Sequence, residues 1–252
     1  MRTLAFLTLA TLCLAPPTRA QEDDGTVSTE IIALGFGKSA FPGYWYRAGK
    51  KGVKMDISRQ GIGFPIQYKG PRVLSFYENQ TDLAKPPEGE APPKPLARVK
   101  LPTGSDRVLL VFALTEKNQK IPVIRAYGVS TDKMKAGDYR LLNFSKNTIY
   151  SILNEKRNST PPGKISNIRG TGWSGEVQDM NVQFGVKDGD KTKRVYSSVW
   201  GHRPERRNFI FVFDQDDRFR PLDVRMFYDL PGVKAKRGET ITIEEPIGEI
   251  TQ

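Results

Sequence analysis

Short runs of β-forming residues, separated by turn residues, restrict the fold of this sequence more than any other feature. Arg107–Phe112 is rich in valine, leucine and phenylalanine, and Gly104–Asp106 before it is typical of a turn. No window of helical length repeats its apolar residues every 3.6 positions. The spacing of these runs predicts an all-β fold of the sandwich or barrel type. The predicted strands are Glu30–Phe36, Arg107–Phe112, Ile121–Val129, Tyr139–Phe144, Thr148–Leu153, Val177–Val186, Val195–Trp200, Asn208–Phe213, Leu222–Tyr228 and Thr240–Ile243.

Two pairs of these strands resemble each other. Val123 follows Leu109 by 14 positions, Val224 follows Ile210 by the same interval, and each pair encloses a polar turn with a proline. The similarity predicts an internal duplication of two sandwich-like, immunoglobulin-like antiparallel units, although any two hairpins of β formers look alike. The predicted divisions are a tail at 21–43, a first unit at 44–133 with a proline-rich loop at 85–95, a second unit at 134–231 and a tail at 232–252.

The first 20 residues have the pattern of a cleavable export signal. Arg2 precedes the apolar stretch Leu4–Ala15, and Thr18 and Ala20 place small residues before the cut. About a dozen apolar residues are too few to span a bilayer, so we expect no transmembrane segment after cleavage, with a retained anchor as the alternative. The expected location is secreted or periplasmic. Cys13, the single cysteine, lies in this signal, which predicts a mature chain without disulfides.

The positive charge of the chain favours anionic partners. Lys and Arg number 39 against 28 Asp and Glu, and loss of Arg2 and Arg19 with the signal lowers the formal charge from +11 to +9. For an exported protein such partners are wall polymers, anionic lipids or acidic glycans rather than nucleic acid. An ordinary basic, soluble surface is the alternative interpretation.

Catalytic groups are scarce in the sequence. His202 is the only histidine and stands in a turn-like stretch, which favours an exposed basic loop over a general base. Ser174 lacks the Gly-x-Ser-x-Gly pattern of a nucleophile elbow. We therefore assign no catalytic residue. A hydrolase that uses carboxylates stays open, with Glu176 and Asp179, or Asp214 and Asp217, as candidate pairs.

Metal and cofactor sites are equally unsupported. Asp214, Asp216 and Asp217 cluster as calcium ligands can, but the Asp-x-Asp-x-Asp-Gly spacing with a distal glutamate is missing. Asp188–Asp190, with its central glycine, fits a hairpin turn better than a metal site. No phosphate loop or dinucleotide fingerprint occurs, and we predict no cofactor and no metal.

Three segments resemble a group of uncharacterised secreted bacterial proteins. These segments are Leu109–Phe112, Ala136–Asn143 and Val195–Ser198. The resemblance implies a β fold and export. The group has no established activity, so it implies no chemistry.

These observations favour a non-enzymatic binding or structural module of the cell envelope. It would bind an anionic envelope polymer or an envelope protein through basic loops that also carry aromatic residues. The alternatives are an extracellular hydrolase that depends on carboxylates and an accessory subunit of an envelope complex. The predicted binding residues are Lys191, Lys193, Arg194, Trp200, His202, Arg203, Arg206 and Arg207.

Overall fold

The structure is a computed structural model that describes residues 25–84, 89–115, 118–170, 176–233 and 240–242. The described residues form 17 β-strands and one short 3-10 helix, Gln80–Leu83, which confirms the predicted all-β class. The expected export signal, with Cys13, lies outside these residues. The strands are β1 Thr26–Phe36, β2 Tyr44–Ala48, β3 Lys51–Met55, β4 Ile66–Pro71, β5 Val73–Phe76, β6 Ala97–Lys100, β7 Arg107–Thr115, β8 Asn118–Gly128, β9 Tyr139–Asn143, β10 Ile149–Leu153, β11 Lys156–Thr160, β12 Ile165–Ile168, β13 Gln178–Asp188, β14 Lys191–His202, β15 Arg207–Asp214, β16 Leu222–Asp229 and β17 Thr240–Thr242.

The strands pair in four groups, which we number in chain order. Sheet 1 has the order β4-β1-β7-β8, sheet 3 the order β12-β9-β15-β16, and sheet 4 the order β11-β10-β13-β14. Sheet 2 joins β17-β3-β2 to the β5-β6 hairpin through an isolated bridge between Trp45 and Tyr77. The order of sheet 3 repeats that of sheet 1 with each strand number raised by eight.

Two strand pairs are parallel, which corrects the prediction of purely antiparallel units. β1 runs parallel to β7, and β9 runs parallel to β15. A parallel pair needs a long crossover, and in both cases the intervening strands of sheets 1 and 2, or 3 and 4, supply it. Local sequence patterns show strands but not the direction of a partner that lies about 70 residues away.

Three hydrophobic clusters connect the sheets. The first contains residues of sheets 1 and 2, the second contains residues of sheets 3 and 4, and the third lies between sheets 1 and 3. Strand β7 alternates between two of them, with Leu110 in the first cluster and Leu109 in the third. In β15, Ile210 likewise faces the second cluster and Phe209 the third. Both faces of each strand are buried, which explains their uninterrupted apolar runs.

The N-terminal segment predicted as a tail contains one of these buried strands. β1 begins at Thr26, earlier than the predicted Glu30, and Ile31 and Ile32 are fully buried on its two faces. The predicted strand near the C-terminus is present as β17, which pairs with β3. The described part of the proline-rich loop, 89–95, has no strand or helix, in agreement with its composition.

Candidate functional site

The first group of predicted binding residues lies at the exposed end of the β13–β14 hairpin. Lys191, Lys193 and Arg194 are all exposed and follow the turn at Asp188–Asp190. Gly189 in that turn has a φ of 59°, a backbone conformation that costs glycine little. The turn interpretation of this segment therefore fits the structure, and its cations face solvent.

Trp200 and His202 point from β14 toward the second hydrophobic cluster. Trp200 is half-buried, and its ring centroid lies 6.0 Å from that of Phe184. His202 is only 2% exposed, and its Nδ1 lies 2.9 Å from the Tyr139 hydroxyl oxygen. The expectation of an exposed loop at His202 is wrong because β14 continues through it, and strand alternation turns this side chain inward.

Burial lowers the pKa of His202 below its ordinary value, despite an opposing effect of Glu205. When the pH falls below an ordinary histidine pKa of about 6.5, His202 therefore becomes protonated more readily in the unfolded chain than in the folded chain. This titration leaves the free energy of unfolding unchanged above that pH and lowers it as the pH falls below that value. We expect a lower free energy of unfolding in urea at pH 5.5 than at pH 7.5. The difference should shrink in His202→Gln, and an equal difference in both proteins would contradict this assignment.

The remaining predicted residues, Arg203, Arg206 and Arg207, have three different environments. Arg203 is exposed. Arg206 is half-buried, and its guanidinium carbon lies 3.8 Å from the ring centroid of Tyr228, which is cation–π geometry. Arg207 is fully buried. Its assignment to a binding loop is wrong because it is the first residue of β15, with its charge paired inside the protein.

A buried ionic network joins the beginnings of β7 and β15. Arg207 donates from Nε to the Asp229 carboxylate at 3.1 Å and from Nη1 to the Val129 carbonyl at 2.6 Å. Arg107 donates from Nη1 to the same carboxylate at 3.0 Å, and from Nε to Glu30 at 2.8 Å. Burial alone would lower the pKa of Arg107, but the Asp229 and Glu30 carboxylates hold it above its ordinary value. Both carboxylates are therefore paired with arginines inside the protein.

Two of the carboxylates nominated for hydrolysis, Asp214 and Asp217, accept hydrogen bonds from backbone N–H groups. Asp214 accepts a hydrogen bond from the backbone N–H of Lys146 at 2.9 Å. Asp217 accepts from the N–H groups of Phe219 and Arg220, and these bonds lower the pKa of Asp217. The described part of the chain has no group of three or more His, Cys, Asp or Glu placed to hold a metal. Ser174 lies outside the described residues.

The outward face of sheet 4, which points away from the second cluster, brings cations from three strands together. Paired residues share a face, so the register places Tyr150 of β10 beside Gly185 of β13, and Gly185 beside Arg194 of β14. The next row contains Arg157, Ile152, Gln183 and Ser197. The preceding row contains Lys187 and Thr192. We call Tyr150, Arg157, Gln183, Lys187 and Arg194 the sheet 4 face.

Tyr150 lies at the centre of the sheet 4 face. The Lys187 Nζ lies 5.8 Å from its ring centroid. Gly185 separates Tyr150 from Arg194, and a Cβ at this glycine would lie 2.8 Å from Cγ2 of Thr192. The Thr192 methyl group and the Lys193 backbone therefore pack directly against this glycine, which brings β14 close to β13 between Tyr150 and Arg194. Asp179 shares this face but lies four residues beyond Gln183, about 14 Å along the strand.

Comparison with known proteins gives no assignment. No protein family matches the chain, and no curated protein matches it. In the part of the chain that the structure describes, no helix is long and apolar enough to cross a membrane.

Of the sheet 4 face, sequence analysis identified only Arg194. Tyr150 and Ile152 alternate with Ile149 and Leu153, which are buried, so the period of β10 marks its outward side chains. Arg157 belongs to a strand of polar residues, Lys156–Thr160, that has no apolar alternation. Its membership of the face depends on pairing with β10, which the sequence pattern did not show.

Proposed function

We propose that the chain consists of two copies of one sandwich-like unit, sheets 1 with 2 and sheets 3 with 4, related by an approximate two-fold axis. The repeated strand order supports this proposal. So does a reciprocal pair of contacts between the copies. The Arg125 guanidinium carbon lies 5.6 Å from the ring centroid of Phe144, and that of Arg225 lies 5.8 Å from the ring centroid of Phe36. Phe36, the last residue of β1, and Phe144, the residue directly after β9, stand at equivalent places.

The register of this duplication differs by one residue from the sequence alignment given above. Positions 107 and 207 begin equivalent strands, so Leu109 corresponds to Phe209, and both lie in the third cluster. The alignment of Leu109 with Ile210 pairs residues that face different clusters. A shift of one residue exchanges the two faces of a strand, so the alignment of Leu109 with Ile210 compares side chains that lie on opposite faces.

The activity that we propose is non-enzymatic binding of an acidic polysaccharide of the cell envelope by an exported protein. The sheet 4 face supports it, because three exposed cations, Arg157, Lys187 and Arg194, share one sheet surface with Tyr150, and the Lys187 Nζ lies 5.8 Å from its ring centroid. Aromatic rings stack on the apolar faces of sugars, and guanidinium groups bind carboxylate or phosphate through paired hydrogen bonds. Gln183, in the same row as Arg157, adds an amide for sugar hydroxyls.

The test is binding of the protein to immobilised polygalacturonate, a polymer of acidic sugars, at low and high salt. The triple variant Arg157→Gln, Lys187→Gln, Arg194→Gln should bind about tenfold or more weakly at low salt. The control is Lys133→Gln, Arg218→Gln, Arg220→Gln, which removes three exposed cations elsewhere and so changes the net charge equally. It should retain nearly all of the binding.

Equal losses in the two triple variants would show nonspecific attraction and would refute a dedicated face. Absence of wild-type binding to polygalacturonate, and to a parallel sample of immobilised polyphosphate, would refute acidic-polymer binding altogether. Binding should weaken as salt rises, because about 0.1 M salt already screens exposed charges beyond about 10 Å. Binding that is insensitive to salt would point to a protein partner or an uncharged ligand.

A further inference from the structure

We propose that the protein has a second acidic-glycan site, in a cleft between sheets 1 and 2, and that its two sites let one molecule bridge two polysaccharide chains. The inference rests on the proposed function, but it concerns different residues on the other unit. No predicted binding residue belongs to this second surface.

The outward face of sheet 2 combines aromatic and basic side chains, as the sheet 4 face does. Trp45 and Tyr77 are half-buried and lie side by side, joined by two backbone hydrogen bonds of 2.8 and 2.9 Å. Lys54 pairs with Trp45 on one side, and Arg98 pairs with Ser75 in the next hairpin. Equivalent sheets of the two proposed units therefore present the same combination of residue types.

A cleft of about 720 Å³ opens next to this face, where β2 and β5 of sheet 2 meet β4 of sheet 1. Arg47 and Lys69 are both exposed and line the cleft together with Ser75 and Tyr77. Its volume falls within the range of small-ligand sites, about 300–1,000 Å³. The size and the two cations suit one or two acidic sugar units of a chain.

The side chains of the cleft are held in place by the protein. Tyr68 lines the cleft and donates its hydroxyl proton to the Pro71 carbonyl at 2.7 Å. Burial raises the pKa of Tyr68 to about 12, so this wall stays neutral. Arg47 donates one hydrogen bond from Nη2 to the Leu83 carbonyl, and its guanidinium carries five N–H groups in all. Asp56 follows Met55, and Glu78 follows Tyr77. Both carboxylates therefore lie at the end of the face that is farther from the cleft.

The two sites lie on different proposed units. Sheets 1 and 3 face each other across the third cluster, and sheets 2 and 4 lie on the far sides of the first and second clusters. Stacked sheets are about 10 Å apart, so about 30 Å separates the two outermost sheets. A short segment of polymer therefore cannot occupy both sites at once, and two segments can.

Two measurements test the inference. Calorimetric titration with a short oligogalacturonate should give two sites per wild-type molecule, and one site in the cleft variant Arg47→Gln, Lys69→Gln. Addition of wild-type protein to soluble polygalacturonate should raise the light scattering, because each molecule bridges two polymer chains. The scattering should fall again at excess protein, when each protein molecule binds only one chain. The cleft variant and the sheet 4 triple variant should each bind the polymer without raising the scattering. Lys69→Glu alone, an exposed change, provides a second cleft variant if Arg47→Gln disturbs folding.

The failure of this inference differs from failure of the proposed function. One site per wild-type molecule, abolished only by the sheet 4 variant, would refute the second site and leave the proposed function intact. Absence of any site would overturn both. A parallel titration with short polyphosphate separates carboxylate from phosphate recognition, because both groups present the anionic oxygens that arginine and lysine bind. Two sites that survive in the cleft variant would place the second site elsewhere and refute the assignment to this cleft.

Discussion

Replacement of Asp229 by alanine is expected to lower the free energy of unfolding by about 3–5 kcal/mol, the cost of breaking a buried ion pair from one side. The Asp229 side chain is 5% exposed and accepts hydrogen bonds from both Arg107 and Arg207. Its removal takes away the carboxylate that forms the ion pair with the fully buried Arg207. Arg107 keeps Glu30, so the loss should come mainly from Arg207. Urea unfolding at neutral pH measures the effect.

The matched control is Asp223→Ala on the same strand. Asp223 accepts a hydrogen bond from Nε of Arg225 at 2.9 Å, but both side chains are substantially exposed. Such surface pairs contribute at most about 1 kcal/mol. Similar losses in the two variants would show that the Asp229 network is no more important than a surface pair. A second variant, Asp229→Asn, retains the size and one acceptor, and should unfold at an intermediate urea concentration.

The strands that sequence analysis predicted best are those buried in a hydrophobic cluster. The predicted strand Val177–Val186 corresponds to β13, and its alternating apolar residues Met180, Val182 and Phe184 are all buried in the second cluster. Arg107–Phe112 was recognised for a different reason, because both of its faces are buried and its apolar run is uninterrupted.

Short strands with polar or glycine residues were missed. β3 contains Lys51, Gly52 and Lys54 among its five residues, and β12 is only Ile165–Ile168. Such strands form because a neighbouring strand and a cluster surround them, which local propensity does not reveal. The same limit explains why sheet order and the two parallel pairs could not be predicted.

The error at Arg207 has a physical cause. Arg203, Arg206 and Arg207 are close in sequence, and a cluster of cations is usually a solvated surface. The carboxylate that makes burial of Arg207 possible is Asp229, which lies on the next strand. A buried charge is recognised through its partner, and partners in β folds are distant in sequence. The sheet 4 face was incomplete in the sequence analysis for the same reason, since its side chains come from β10, β11, β13 and β14.

Replacement of Phe211 by alanine should also lower the free energy of unfolding by about 3–5 kcal/mol, the range for a buried phenylalanine. Phe211 is fully buried in the third cluster, with its ring centroid 4.9 Å from Phe36 and 5.8 Å from Phe227. Phe36 belongs to sheet 1, so the substitution weakens the contact between the two proposed units as well as sheet 3 itself. Because this cluster joins both units, we expect unfolding to remain a single transition at a lower urea concentration.

Phe219, in the turn that follows the same strand, provides the control. Its side chain is 87% exposed, so Phe219→Ala should change the free energy of unfolding by no more than about 0.5 kcal/mol. Tryptophan fluorescence and far-UV circular dichroism should report the same midpoint for Phe211→Ala, since Trp45 belongs to one unit and Trp200 to the other. Two separate midpoints would mean that the units unfold independently and that the third cluster does not couple them. A loss in Phe219→Ala equal to that in Phe211→Ala would contradict the burial on which the argument depends.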